Sequence, residues 1–207
     1  MSLKLDLLSL WMPDFLMKRE IKHIGVVTIG VLDRLINENS PSLVKSLKTP
    51  RFNGDSKDMR IEMSSAHEQR VKLLIDILGR DEAIQMGREA LFSAGQELGS
   101  QLKNKLEVSE SLKDLIKAAH ILYRVLGIDF EVKTINGGIC LVVDRCQLAE
   151  YYSPDTCLVL SATDEGVVQG LNPLISMKFG QRMAAGSECC LANIRLEKEI
   201  VSEEGMS

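Results

Sequence analysis

At Gly127 the hydrophobic period of the chain changes, and this change constrains its fold more than any other feature. Upstream, apolar residues recur every three or four positions, the spacing of one helix face. Downstream, "DFEVKTINGGICLVVDR" alternates, turns at Asn136-Gly137 and resumes as an apolar run. Asn-Gly tolerates the positive φ of a type I′ turn, so this stretch predicts a hairpin. "LISMKFGQRM" and "CCLANIRLEKEI", joined by "AAGSE", predict a second hairpin. Between them, "CQLAEYY" and "DTCLVLSATDEGVVQGL" read as short helices or loop segments, and Asn172-Pro173 marks a turn. The expected architecture is α+β. A helical N-terminal half precedes a four-stranded antiparallel sheet in β-β-α-β-β order, with helices on one face.

The helical half divides at recognisable punctuation. Phe15 to Ile36 has a helical period, weakened by Gly25 and Gly30. Ser40-Pro41 reads as an N-cap with proline at the first helical position, and Thr49 to Ser56 as a loop. "MRIEMSSAHEQRVKLLIDILG" predicts a helix ending at Gly79, and a second helix starts behind Asp81. The small residues Gly87, Ala90, Ala94, Gly95 and Gly99 in that second helix predict tight helix contact. Ser109 is expected to cap a third helix ending at Gly127. The domain expectation is an N-terminal helical arm over 1–58, an α+β domain over 59–200 and a polar tail over 201–207.

With 207 residues, 45% of them apolar, the chain can bury a sizeable core. A net charge of −4 without any Lys/Arg block gives no electrostatic case for nucleic acid. No apolar run is long enough to span a bilayer. The N-terminal stretch carries Lys4, Asp6 and Asp14 and does not read as an export signal, so five reduced thiols in the cytoplasm are the expectation. The loosely amphipathic first forty residues and the small-residue faces predict self-association through the N-terminal helices.

The cysteines carry most of the chemical interest. Neighbouring strand residues point to opposite faces, so Cys190 shares the apolar face with Ala192, Ile194 and Leu196 while Cys189 shares the wetter one. Cys146 immediately follows the second strand, Cys157 and Ser161 precede Asp164, and Arg182 lies near the end of the predicted third strand. Cys146, Asp164 and Cys190 are expected to converge on one pocket. Burial as small hydrophobes is the competing reading for each thiol. No Cys-x-x-Cys pair and no histidine at ligand spacing is present, so no metal site is expected, and nothing in the spacing names a cofactor. His23, His67 and His120 all fall on predicted helices; His23 and His120 read as flank or core residues and His67 sits in a polar stretch. Met59, Met63 and Met86 read as adaptable core.

Several of these elements, taken as an ordered series, resemble the L-2-amino-thiazoline-4-carboxylic acid hydrolase family. "RCQLAEYY" matches a strand leading into a cysteine, with Cys146. "SATDEGVVQGLNP" matches the family's Cys-x-x-Asp element and its Gly-aromatic-Asn/Ser-Pro turn, with Asp164, Gly170 and Pro173. "MAAGSECC" matches a glycine four residues before a final cysteine, with Gly186 and Cys190. The helical segment from Glu68 to Leu102 is similar to the pair that precedes the family's sheet, and the resemblance spans about residues 60 to 198. The chain departs at two places. Ser161 stands where the family has a cysteine, and Phe179-Gly180-Gln181-Arg182 replaces an Arg-Thr-x-Thr stretch.

The resemblance implies hydrolytic opening of a small cyclic or amide C–N bond. Cys146, Asp164 and Cys190 would be catalytic, and Ser161, Arg182 and Cys157 would bind the substrate. Asp164 would orient water or act as base. A more distant likeness to vinyl-reductase-type ligand-binding domains, which share the late Gly…Cys hairpin, keeps a second reading open. That reading is a non-catalytic domain whose thiols sense a small ligand, redox state or a metal.

Overall fold

The computed structural model describes residues 3–196. The end of the predicted last strand and the polar tail lie outside the described residues. Among the described residues, seven α-helices precede and interrupt a four-stranded antiparallel sheet. They are α1 (Leu3–Leu10), α2 (Asp14–Asn39), α3 (Pro41–Val44), α4 (Ser56–Leu78), α5 (Arg80–Leu106), α6 (Leu112–Leu126) and α7 (Pro154–Leu171). The strands are β1 (Ile128–Ile135), β2 (Gly138–Cys146), β3 (Ile175–Gln181) and β4 (Cys190–Leu196). Their order across the sheet is β1-β2-β4-β3, so both hairpins meet through β2 and β4. Among the described residues no helix is long and apolar enough to cross a membrane.

Local chemistry sets the boundaries. Asp55 and Asp58 form a reciprocal capping box at the start of α4. Gly79, at φ 82°, breaks α4 from α5. Gly127, at φ 71°, ends α6 in the left-handed conformation that glycine adopts without strain. Asn136 and Gly137 both have positive φ, as the β1–β2 turn requires. Two boundaries differ from expectation. The N-cap of α6 is Ser111, whose hydroxyl accepts from the Asp114 amide, while Ser109 donates to the Asp114 carboxylate. Residues 154–171 form one continuous helix, α7, because Ser153 caps it and Pro154 occupies its first turn.

The helix α2 buries Ile21, Ile24, Thr28, Leu32, Leu35 and Ile36, a stripe at helical spacing that lies against α4. Ile21 and Ile24 join the main core with Met59 and Met63 of α4 and the inner face of the sheet. The closest helix contact is between α5 and α7. A methyl group at Gly95 or Gly99 would collide with the carbonyl oxygen of Thr163 or Val167. From the other side, one at Gly166 or Gly170 would collide with the carbonyl of Phe92 or Gln96. The two backbones therefore touch, and α7 is fixed in rotation as well as position.

Candidate functional site

This rotation points one stripe of α7 away from α5. Cys157, Leu160, Ser161 and Asp164 recur at three and four positions and line a cavity of about 80 Å³ beside the sheet. Cys146, Cys190, Phe179 and Arg182 face the same cavity from the strands, and Thr28, His67, Tyr123 and Tyr152 close it from the helices and the turn after β2. The structure thus brings all six sequence-selected residues, Cys146, Cys157, Ser161, Asp164, Arg182 and Cys190, to one cavity wall. All five cysteines are free thiols; Cys189 precedes β4 and does not line the cavity.

Two β-bulges make this convergence work. Val143 and Cys190 are register partners and share a face. Cys146 lies three positions beyond Val143 and by strict alternation would point the other way. Phe130 pairs with Val143 while Asp129 pairs with Arg145, so Asp144 is an extra residue that returns Cys146 to the cavity face. The β3–β4 pair repeats the device. Phe179 pairs with Ala192 and Gln181 with Leu191, leaving Gly180 over and bringing Arg182 round to the face of Phe179.

The polar groups divide into bonded and unbonded. Ser161 Oγ donates to the Leu158 carbonyl at 3.0 Å and accepts from Nε and Nη2 of Arg182 at 3.2 and 3.1 Å. Its proton and its lone pairs are both engaged. Arg182 lies 5.7 Å from the centroid of the Phe179 ring, within cation–π range. The neighbouring carboxylate, Glu165, is buried and held by Arg88 at 2.8 Å and the Phe179 amide at 3.3 Å. Asp164 has no hydrogen-bond partner among the described residues. Burial, and secondarily the Glu165 charge, push its carboxyl up to about 7. The hydroxyls of Tyr123 and Thr163, both on cavity walls, are also buried without a partner among the described residues.

Burial raises the thiols. Cys146 is pushed up to about 11 despite the Ala149 and Leu148 amides that favour its thiolate, and Cys157 to about 12. Cys190 is raised for the same reason, although its sulfur accepts the Met183 amide at 3.3 Å and Arg182 opposes the shift. At neutral pH these groups are thiols, not thiolates.

His67 is a correction to the sequence reading, which placed it in a polar stretch. It is 2% exposed, and its ring bridges Thr28 Oγ1 at 2.8 Å and the Tyr152 hydroxyl at 2.7 Å. Thr28 donates to the Ile24 carbonyl, so it accepts from His67 Nε2–H, and Nδ1 accepts from Tyr152. Burial and then the Arg70 charge push His67 down to about 3, so the ring stays neutral and this tautomer is held. The available signal was Tyr152, the second tyrosine of "AEYY", which needs a partner when buried. Among the described residues no group of three His, Cys, Asp or Glu side chains is arranged to hold a metal ion.

No curated protein matches the chain. Among solved structures, it is similar to a trafficking protein particle complex subunit 3 from Naegleria fowleri covalently bound to palmitic acid. That pair has 15% identity and a TM-score of 0.54, over 69% of this chain and 97% of that one. It is also similar to an H-NOX protein from S. oneidensis in the Fe(II)NO ligation state, at 15% identity and a TM-score of 0.42, over 88% of this chain and 98% of that one. The family model for L-2-amino-thiazoline-4-carboxylic acid hydrolase matches residues 57–193, a span that holds all six of these wall residues, and the chain belongs to that family.

Proposed function

We propose that the chain hydrolyses a C–N bond of a small substrate through Asp164 and a water molecule, with the thiols as walls rather than nucleophiles. One observation carries this reading. Asp164 is the unbonded carboxyl on the cavity wall, and its acidity near pH 7 lets one group serve as base and then as acid. As carboxylate it takes a proton from water while the oxygen attacks the carbon of the C–N bond. As carboxylic acid it returns that proton to the departing nitrogen as the bond breaks. Arg182, held by Ser161, supplies a cation for a carboxylate on the substrate. A thiol mechanism is disfavoured because a group titrating near 11 is ionised to about one part in ten thousand at pH 7. A serine mechanism is disfavoured because Ser161 is hydrogen-bonded to no base, and its proton rests on a backbone carbonyl.

The test is turnover of cyclic amidine and thiazoline carboxylates, followed by mass spectrometry. Asp164→Asn is expected to lose at least about a hundredfold in kcat. Cys146→Ser, Cys157→Ser and Cys190→Ser are expected to stay within about tenfold. A covalent acyl adduct on a cysteine would overturn the water mechanism. Ligand binding without catalysis is the second reading, favoured by the protonated thiols and largely apolar walls. It predicts that the substrates bind unchanged.

A further inference from the structure

A second cavity of about 140 Å³ adjoins the one at Asp164 and shares Ile24, Leu126, Thr163 and Asp164 with it. Its walls are Leu8, Leu16, Leu98, Leu102, Leu122 and Val167, from α1, α2, α5, α6 and α7. Its solvent side is polar: Arg19, His23, Gln101 and Lys105 line it and are exposed. Glu20, between them, is paired with Lys105 at 2.7 Å and Arg19 at 2.8 Å. The Thr163 hydroxyl, on the shared wall, is buried without a partner among the described residues. An apolar compartment with a charged mouth thus borders, at Thr163 and Asp164, the cavity that Arg182 and the thiols line.

We propose that this site takes an amphipathic ligand. A carboxylate-bearing head lies beside Asp164 and Arg182, and a hydrocarbon tail of about six to eight carbons fills the compartment between α1, α2, α5 and α6. The proposal rests on reading the Asp164 cavity as the ligand site. Volume sets the tail length, because an apolar cavity of about 150 Å³ accommodates a benzene-sized group. The smaller first cavity then holds only the head. A longer chain would emerge among Arg19 and Lys105 and gain nothing more.

The experiment is calorimetric titration of the full chain with straight-chain carboxylates from two to sixteen carbons. Affinity is expected to rise about fourfold per carbon, from the transfer free energy of a methylene, and to level off at about seven to nine carbons in total. Leu102→Trp and Leu122→Trp, each checked for an unchanged melting curve, are expected to abolish the rise and leave the shortest acids unaffected. Arg182→Ala is expected to weaken all lengths equally. Affinity independent of chain length, or a rise that survives both tryptophan variants, would overturn the proposal. A gain continuing to sixteen carbons would overturn the tail length. The hydrolase reading fails separately, if tailed cyclic amidines bind with the expected slope and are not turned over. Equal kcat/KM for short and long substrates would sink the tail and leave the hydrolase standing.

Discussion

The guanidinium of Arg182 rests on the hydroxyl of Ser161, with Nε at 3.2 Å and Nη2 at 3.1 Å. Ser161 therefore supplies a hydrogen-bond acceptor that aims a cation, a job a thiol would do poorly. Ser161→Ala leaves Arg182 the Glu165 oxygen 3.9 Å away and the Phe179 ring, with no hydrogen bond from Ser161, and frees it to swing from the cavity. Octanoate affinity is expected to fall about tenfold, the order of one hydrogen bond to a charged group, with little change in melting temperature. Titration calorimetry on the variant checks it; unchanged affinity would show that Ser161 does not position the arginine.

Asp164 sets a pH dependence with a definite sign. Unfolded, its carboxyl titrates near 3.8; folded, near 7, so the native chain holds the proton more tightly between those values. Stability from this group is therefore greatest below about pH 4 and is lost as pH rises to 7. His67 acts oppositely. Its native value near 3, against an ordinary 6.5, costs stability as pH falls through that window. Asp164→Asn removes only the first effect. The variant is expected to gain on the parent from pH 4 to 7 and to stay ahead above, by a few kcal/mol. Urea denaturation from pH 5 to 8.5 measures the difference, and a pH-independent gap would contradict the raised carboxyl.

The space around two helical glycines predicts opposite signs. Gly95→Ala drives a methyl into the Thr163 carbonyl, and backbone cannot yield as a side chain can. A loss of at least about 3 kcal/mol is expected, at the upper end of overpacking. Gly30→Ala, in α2 with no atom within 4 Å, is expected to gain about 0.5–1 kcal/mol. Thermal melts of both single variants test the pair together.

Alkylation separates the thiols by location. Cys189 lies outside the cavity, while Cys146 and Cys157 are held protonated within it. Native iodoacetamide labelling at pH 7.5, read by peptide mass spectrometry, is expected to modify Cys189 well before either. Fast labelling of Cys146 would mean that its thiolate is populated.

The sheet and the helical period were legible because each rests on local chemistry. Asn136-Gly137 admits only a tight turn, and the recurring glycines of α5 leave room for another backbone. The length of α7 was not legible, because "DTCLVLSATDEGVVQGL" is apolar or small on both faces. One face touches α5 and the other the cavity, so no single stripe marks a helix. The buried role of His67 was hidden for a related reason. Its partners, Thr28 and Tyr152, lie 39 and 85 positions away. The cavity side of Cys146 and Arg182 was beyond any alternation rule, since each depends on one unpaired strand residue.

Those two extra residues change how relatives of this chain must be compared. A homologue lacking one position at Asp144 or Gly180 would keep every cysteine, the aspartate and the arginine, and a tally of matching letters would score it as intact. Yet its Cys146 or Arg182 counterpart would point out of the sheet. In this chain, spacing along two strands shapes the cavity as much as the identities of the residues that line it.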